Sequence, residues 1–295
     1  MRFLVLPLLA LPIYAQTLGQ PFGQLKEEQK FKDYTVRIYR NEQLPLDTDK
    51  NPDHQDGLGC FEILKAGRQV FFKTGVIFEV EHVVVEAGTN IGPAIMGQCI
   101  LGDNQPCLAI SGFNGGNNNC EDLYVFQIGD TFKPVATINT TGGGEFQALR
   151  RDGSLDLVTF ERTLEGMCVC EADAVYAKII FRYQNNRYQI DLAAMKRPAP
   201  DQQKLLKMAG KIKAAFANAF DGEIGGAPTV MKGRMLELIY SGNMESAWKL
   251  CELSWPTKSR GKDLFLKEFV EELKSSPHYN DINQASFQNG ALHKS

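Results

Sequence analysis

The sequence lacks an excess of charge of either sign. Its 295 residues contain 32 Lys and Arg against 35 Asp and Glu, which gives a formal net charge of −3, and no long run of one sign occurs. A protein that holds a nucleic acid needs a basic face for the phosphates. We therefore do not expect nucleic acid as a partner.

Recognisable catalytic motifs are also missing. No G-x-S-x-G, H-E-x-x-H or G-x-x-x-x-G-K-[ST] occurs, and only 4 histidines could serve as bases. We assign no catalytic residue, no metal and no cofactor, and we expect a protein without enzymatic activity. Glycan hydrolysis needs only two carboxylates at a suitable separation, so a cell-envelope glycan hydrolase is the alternative function. Its candidate carboxylates are Glu79, Glu81, Glu121, Asp122, Asp156 and Glu161.

No apolar run is long enough to cross a bilayer. The chain opens with MRFLVLPLLALPIYAQ, in which Arg2 precedes an apolar stretch that two prolines interrupt. A charged start, about a dozen apolar residues and a small residue at the cleavage point are typical of a secretory signal peptide. We expect residues 1–15 to be removed after Ala15, and the mature protein to be periplasmic or extracellular.

The 7 cysteines would then enter a compartment in which disulfides persist. Cys99 and Cys107 bracket a turn-rich stretch and form the first predicted pair. Cys168 and Cys170 stand at i and i+2 of a strand, so they would share a face and bond different partners. A zinc site competes with this interpretation, but no C-x-x-C pair is present. Cys251 is predicted to be a small buried apolar residue. The disulfide candidates are Cys60, Cys99, Cys107, Cys120, Cys168 and Cys170.

Strand-like alternation extends from about Gly57 to Leu192. Runs such as PCLAISGF, LYVFQIGDTFKPVATI and AVYAKIIFRY are bounded by Gly, Asn or Asp, without a helical pattern between them. This spacing favours antiparallel sandwich or propeller-like sheets. After KRPAPDQQ the period changes to about 3.6, which indicates a small helical bundle. We predict an α+β fold with a signal peptide at 1–15, an N-terminal segment at 16–56, a β-rich domain at 57–197 and a helical domain at 198–295.

The stretch SGFNGGNNNCEDLYVF, residues 111–126, has a centre of glycine and asparagine. Both residue types tolerate the positive φ of a compact turn between strands, which is one interpretation. The other is a binding loop, because amide and carboxylate oxygens suit a sugar or a hard cation. The predicted ligand-binding residues are Asn114, Asn117, Asn118, Asn119, Glu121 and Asp122.

Three stretches between residues 111 and 192 share an order of turns. SGFNGGNNNCEDLYVFQIGDTFKPVATI, ALRRDGSLDLVTFE and IIFRYQNNRYQIDL contain a Gly-rich turn, a Gly-Asp-x-Phe turn, an Asp-Gly loop and a closing hairpin with tyrosine. This order resembles that of secreted bacterial proteins with FG-GAP or VCBS-like β-repeats, and the resemblance implies a β-fold outside the cytoplasm. Calcium-binding members carry alternating acidic residues in the Asp-Gly loop, whereas this chain has Ala148 and Arg150 there. An arginine repels the ion, so we do not carry the metal over.

These features together predict a secreted or periplasmic binding or scaffold protein without enzymatic activity. The β-rich domain would present the ligand loop, and the helical domain would support it or bind another protein. The expected partner is an envelope glycan or another secreted protein, with no membrane span.

Overall fold

The structure is a computed structural model, and it describes residues 23–41, 59–75, 77–86, 90–113, 121–140, 143–161, 176–216, 226–257 and 259–288. The strands are β1 (Gln24–Phe31), β2 (Tyr34–Arg40), β3 (Gly59–Lys65), β4 (Arg68–Gly75), β5 (Ile77–Val80), β6 (His82–Glu86), β7 (Asn90–Ala94), β8 (Met96–Gln98), β9 (Cys107–Phe113), β10 (Glu121–Ile128), β11 (Phe132–Asn139), β12 (Gly144–Gln147), β13 (Asp156–Glu161), β14 (Ala177–Gln184) and β15 (Arg187–Ile190). The helices are α1 (Leu192–Met195), α2 (Gln202–Ala215), α3 (Thr229–Tyr240), α4 (Met244–Ser254), α5 (Lys262–Ser275) and α6 (Tyr279–Gln288).

The chain divides into two compact units, Met1–Glu79 and Val80–Ser295. This division does not coincide with the predicted boundary between residues 197 and 198, which marks the change from strands to helices inside the second unit. The predicted signal peptide lies outside the described residues. No helix among the described residues is both long and apolar enough to cross a membrane.

The first unit contains an antiparallel sheet in the order β1-β2-β3-β4. The predicted N-terminal segment therefore supplies two strands, β1 and β2. Ala66 and Gly67 join β3 to β4 with φ of 49° and 77°, as the sequence predicts for a two-residue hairpin. Glu62 is buried and accepts a hydrogen bond of 2.9 Å from the Tyr39 hydroxyl. Burial, together with this carboxylate, raises the pKa of Tyr39 to about 12.

The second unit contains two sheets. In one, the strands follow the order β11-β10-β9, and β8 also pairs with β9. The other has the order β15-β14-β13-β12-β6-β7, antiparallel throughout except for the β12–β6 pair. The described strands close into neither a barrel nor a propeller. The molecule is therefore β-rich with several antiparallel sheets and a helical C-terminal part, an α+β composition.

One hydrophobic core spans the strands and helices of the second unit. It joins Leu157 of β13 and Ile179 of β14 with Leu205 of α2, Met235 of α3 and Phe269 of α5, each no more than 3% exposed. The apolar stripes predicted from the 3.6-residue period are the buried faces of α2, α3, α4 and α5. The helices therefore complete the core of the strands.

The sequence VIFEVEHVVVEAG alternates Phe78, Val80, His82 and Val84 on one face, as in a single strand, but the structure departs from this pattern. The chain breaks at Glu81, whose N–H donates to the Ala109 carbonyl and whose carbonyl accepts from the Ile95 N–H. The structure consequently has two short strands there, β5 and β6. The alternation places His82 on the same face as Val80 and Val84, yet its side chain is exposed at the start of β6. Period-two alternation continues across such a break, so the sequence pattern could not reveal it.

Candidate functional site

The proline-containing stretch after β15 is held against the turn between α3 and α4. The Arg197 N–H donates to the Ser241 carbonyl at 3.1 Å, and the Asn243 side-chain amide donates to the Arg197 carbonyl at 3.1 Å. Downstream, Asp201 caps α2 by accepting from the Lys204 N–H at 2.7 Å. These bonds fix a stretch that the sequence alone presents as a linker.

A cleft of about 480 Å³ lies between this stretch, β14 and the helices. One wall comes from β13 and β14 and the residues beside them, a second from α1 and the proline stretch, and a third from α2 and the α3–α4 turn. The described residues that line it are Phe160, Tyr176, Ala177, Lys178, Ile180, Met195, Arg197, Pro198, Pro200, Lys204, Met208, Glu237, Leu238, Tyr240, Ser241 and Asn243. We call this space the β14–α2 cleft.

The lining of the β14–α2 cleft is largely apolar. Ile180, Met195 and Leu238 contribute buried side chains, and Met208 is partly exposed. Phe160 leaves 41% of its surface accessible, although it is a large aromatic residue in the middle of a sheet. An exposed aromatic side chain in a concave, apolar site is typical of a ligand-binding surface.

The charged residues of the cleft are mostly cationic. Lys178, Arg197 and Lys204 approach it from β14, the proline stretch and α2. Neither lysine forms an ion pair with any residue within the described parts of the chain. The carboxylate in the lining, Glu237, pairs with Arg234 at 2.5 Å. Among the residues that the structure describes, no carboxylate neutralises the charge of these two lysines.

A buried hydrogen-bond cluster lies beside the cleft. Glu161 accepts from the hydroxyls of Tyr240 and Ser276, the latter at 2.6 Å, and the two hydroxyls are 3.0 Å apart. Tyr240 also lines the cleft. Burial, reinforced by the Glu161 carboxylate, raises the pKa of Tyr240 well above its ordinary value. The cluster joins β13, α3 and the C-terminal end of α5.

His278 extends this cluster, although its loop-like polar stretch in the sequence predicts an exposed side chain. Its N–H donates to the Ser276 hydroxyl at 3.1 Å, and its ring packs edge-on against Phe181 with a centroid separation of 5.3 Å. Burial lowers the pKa of His278, although the nearby carboxylates oppose this shift. The residue follows Pro277 in a polar stretch, so the sequence contains no pattern that indicates its burial.

A second polar cluster surrounds the Asp-Gly loop. The Arg150 guanidinium donates to the buried Asp156 carboxylate, with Nε at 3.1 Å, and lies 3.8 Å from Asp152. Arg182 lies between Asp156 and Asp191, at 3.9 and 2.8 Å. Burial raises the pKa of Asp156, and the Arg150 charge opposes the rise. Within the described residues, no group of three or more His, Cys, Asp or Glu side chains is placed to hold a metal ion.

Most of the predicted ligand loop, Asn114, Asn117, Asn118 and Asn119, lies outside the described residues. Glu121 begins β10, and Asp122 follows it in the ladder between Gly112 and Asn139. The Asp122 carboxylate accepts from the Asn139 amide at 3.1 Å and from the Tyr124 hydroxyl at 3.3 Å. The described end of the loop is thus part of the sheet, away from the lining of the cleft.

The cysteines that the structure describes are free thiols. Cys60, Cys107 and Cys251 are buried, whereas Cys99 is exposed. The predicted Cys99–Cys107 pair is therefore not formed in this structure, because one thiol lies in the core and the other faces solvent. Cys120, Cys168 and Cys170 lie outside the described residues. Cys251 is a buried core residue, as its helical pattern predicts.

In comparisons with known proteins, no family model, no curated protein and no solved structure matches the chain. Its function must consequently be inferred from its own residues.

Sequence analysis did not identify the cleft. Its lining residues come from separate parts of the chain, between Phe160 and Asn243. The polar stretch KRPAPDQQ indicated only a boundary, since prolines and charges are typical of linkers. No spacing rule connects Phe160 with Met208, because only folding brings β13 and α2 together.

Proposed function

We propose that this protein is a secreted or periplasmic binding protein without enzymatic activity, and that the β14–α2 cleft holds a small ligand. The observation that carries the proposal is the combination of an apolar lining with two lysines, Lys178 and Lys204, that form no ion pair among the described residues. A volume of about 480 Å³ lies in the range of small-molecule sites, and convergent polar groups in an apolar cleft are their usual composition. The export of the chain is supported by the sequence of residues 1–15.

The proposal moves the ligand from the Asn114–Asp122 loop to the cleft. The Asp122 carboxylate already has two hydrogen-bond partners, whereas the cleft lysines have none among the described residues. An envelope glycan or a second secreted protein stays a proposed partner of the loop. We also propose that the two sheets of the second unit form a sandwich, which their shared core supports. A relation to FG-GAP or VCBS-like repeats is a further proposal, and the order of turns in the sequence supports it.

The glycan hydrolase has weaker support. Asp156 and Glu161 are buried and engaged with Arg150 and with Tyr240 and Ser276. The cleft lining contains one carboxylate among the described residues, Glu237, and that group pairs with Arg234. Hydrolysis needs a carboxylate pair that can reach the glycosidic bond.

Filling the cleft tests the proposed site. A panel of anionic, neutral and cationic small molecules would be screened by thermal unfolding against the wild type and the Met208→Trp variant. A ligand that binds only the folded state stabilises it by RT ln(1 + [L]/Kd), so compounds that bind in the cleft should raise the melting temperature of the wild type only. Leu206→Trp is the matched control, since Leu206 is 51% exposed on the same helix and does not line the cleft.

Two results would contradict the proposal. One is that no compound stabilises the wild type, or that Met208→Trp keeps every stabilisation. The other is the release of soluble fragments when the protein is incubated with insoluble peptidoglycan, which would favour the hydrolase.

A further inference from the structure

We infer that the β14–α2 cleft selects an anionic amphiphile, a small molecule with a carboxylate or phosphate head on an apolar body. This inference rests on the proposed binding function and adds the chemical class of the ligand. It follows from how the two kinds of side chain divide the lining.

The apolar body is indicated by the side chains that form most of the lining. Phe160, Ile180, Met208 and Leu238 offer aromatic, branched and flexible apolar surface. Burying such surface contributes roughly 25 cal/mol per Å². Methionine adapts its shape to its contacts, which suits an alkyl or aryl group of variable outline. A purely polar ligand, such as a free sugar, would leave the exposed Phe160 surface unused.

The anionic head is indicated by three cations from different elements. Lys178 lies on β14, Arg197 on the proline stretch and Lys204 in the first turn of α2. Arg197 is oriented by donating to the carbonyls of Ala194 and Lys196 at 3.1 and 3.2 Å. Like charges that converge on one concave space repel each other, and a bound anion would relieve that repulsion.

The same charges disfavour other ligands. Among the described lining residues, a cationic ligand would meet three positive groups and one carboxylate, Glu237, which pairs with Arg234. A neutral ligand offers Lys178 and Lys204 only uncharged acceptors, whose hydrogen bonds to the two ammonium groups are weaker than those of an anion. A carboxylate or phosphate supplies acceptors for both lysines, and charge-assisted hydrogen bonds are about twice as strong as neutral ones.

The test uses four probes that share a twelve-carbon chain: dodecanoate, dodecyl phosphate, dodecan-1-ol and dodecylammonium, each below its micelle concentration. Isothermal titration calorimetry with the full mature chain should show binding of the two anions, with affinity at least about tenfold above the alcohol. The ratio of the affinities for dodecanoate and dodecyl phosphate shows whether the cleft prefers a carboxylate or a phosphate head. Anion affinity should also fall as ionic strength rises.

Charge variants connect this selectivity to the named residues. Lys178→Glu and Lys204→Glu should each weaken anion binding by about tenfold or more. Lys211→Glu is the matched control, because Lys211 is exposed on α2 outside the cleft lining, and it should bind like the wild type. If a glutamate variant fails to fold by circular dichroism, Lys178→Gln and Lys204→Gln replace it, with a smaller expected loss.

The outcomes separate the ligand class from the proposed function. Equal binding of the alcohol or the ammonium compound, lost in Met208→Trp, would overturn the ligand class and leave the cleft as a binding site. Anion binding that survives both lysine variants, or that Lys211→Glu removes, would also overturn it. If no probe of any charge binds, and the broader panel fails as well, both the ligand class and the proposed function fall.

Discussion

Arg150 shows how a single residue decides what a loop can hold. Its guanidinium lies against Asp156 and within 3.8 Å of Asp152, so a side chain supplies the positive charge at this loop. An arginine at this position repels a cation. The structure adds that the arginine is the partner of a fully buried carboxylate.

Removing this partner should destabilise the fold. We expect Arg150→Ala to lower the free energy of unfolding by about 3 kcal/mol, because a buried carboxylate loses its main counter-charge. We expect a loss at the lower end of the roughly 3–5 kcal/mol typical of a broken buried ion pair, because Arg182 remains 3.9 Å from Asp156. Urea unfolding measures the difference, and Arg151→Ala, an exposed neighbour, is the control that should change little.

The pH dependence gives this prediction a second readout. Burial raises the pKa of Asp156 above 3.8, and the loss of Arg150 should raise it further. When the pKa of a carboxyl group is higher in the folded state than in the unfolded state, its protonated form adds to the free energy of unfolding. This contribution is lost as the pH rises through the pKa of the folded state. The difference between variant and wild type should therefore be largest near neutral pH and shrink toward acid. A difference that does not depend on pH would contradict this explanation.

The thiols provide the second prediction at this scale. Cys99 should react with an alkylating reagent in the folded protein, since it is exposed. Burial raises the pKa of Cys60 and Cys107 to about 12 and that of Cys251 to about 11, so these three should react only after unfolding. Peptide mapping by mass spectrometry assigns each site. A Cys99–Cys107 disulfide in the mature protein would contradict the free thiols and restore the pairing predicted from sequence.

Short turns and caps control the elements, and the β3–β4 hairpin offers a direct test. Ala66 adopts φ of 49°, a left-handed conformation that asparagine tolerates better than alanine. We expect Ala66→Asn to raise the free energy of unfolding by about 0.5 kcal/mol. Gly67→Ala is the opposite control: nothing lies within 4 Å of an added Cβ, so its expected loss of about 1 kcal/mol comes from φ alone. The denaturant midpoints of both variants measure these changes in stability. An unchanged midpoint for Ala66→Asn would contradict the predicted stabilisation.

The start of α2 depends on Asp201. Its carboxylate accepts from the Lys204 N–H, so Asp201→Ala should lower the free energy of unfolding by about 1 kcal/mol, while Asp201→Asn should retain most of the cap. Thermal unfolding of the two variants measures this difference. Equal losses in both would show that the negative charge, not the cap, matters here.

At the scale of the whole molecule, one core joins the strands and helices of the second unit. Glu161, Tyr240 and Ser276 bring β13, α3 and the end of α5 to one buried point. Tyr240→Phe should lower the free energy of unfolding by about 1–3 kcal/mol, because the Glu161 carboxylate loses a donor. Tyr279→Phe, a partly buried tyrosine outside this cluster, should cost less.

The same variant tests how the strands and helices unfold. Because they share a core, intrinsic fluorescence and far-ultraviolet circular dichroism should report the same midpoint in both the wild type and Tyr240→Phe. Two separate transitions, one for the strands and one for the helices, would instead favour the boundary predicted at residues 197 and 198.

The elements were predictable where local pattern decides them. The two-residue turn at Ala66 and Gly67, the strands around PCLAISGF and LDLVTFE, and the apolar stripes of α2 to α5 follow from φ preferences and from periods of 2 and 3.6. The break at Glu81 was not predictable, since it depends on hydrogen bonds to Ala109 and Ile95, which lie farther along the chain.

By itself, the sequence determined the β-rich and helical composition and most strand and helix positions. These properties depend on neighbours within a few residues. Only the tertiary structure decided the partial burial of His278, the separate environments of Cys99 and Cys107, and the cleft that joins Phe160 with Lys204 and Met208. Those properties depend on contacts between residues far apart in the chain. A local sequence pattern contains no information about which distant residue a given side chain will contact.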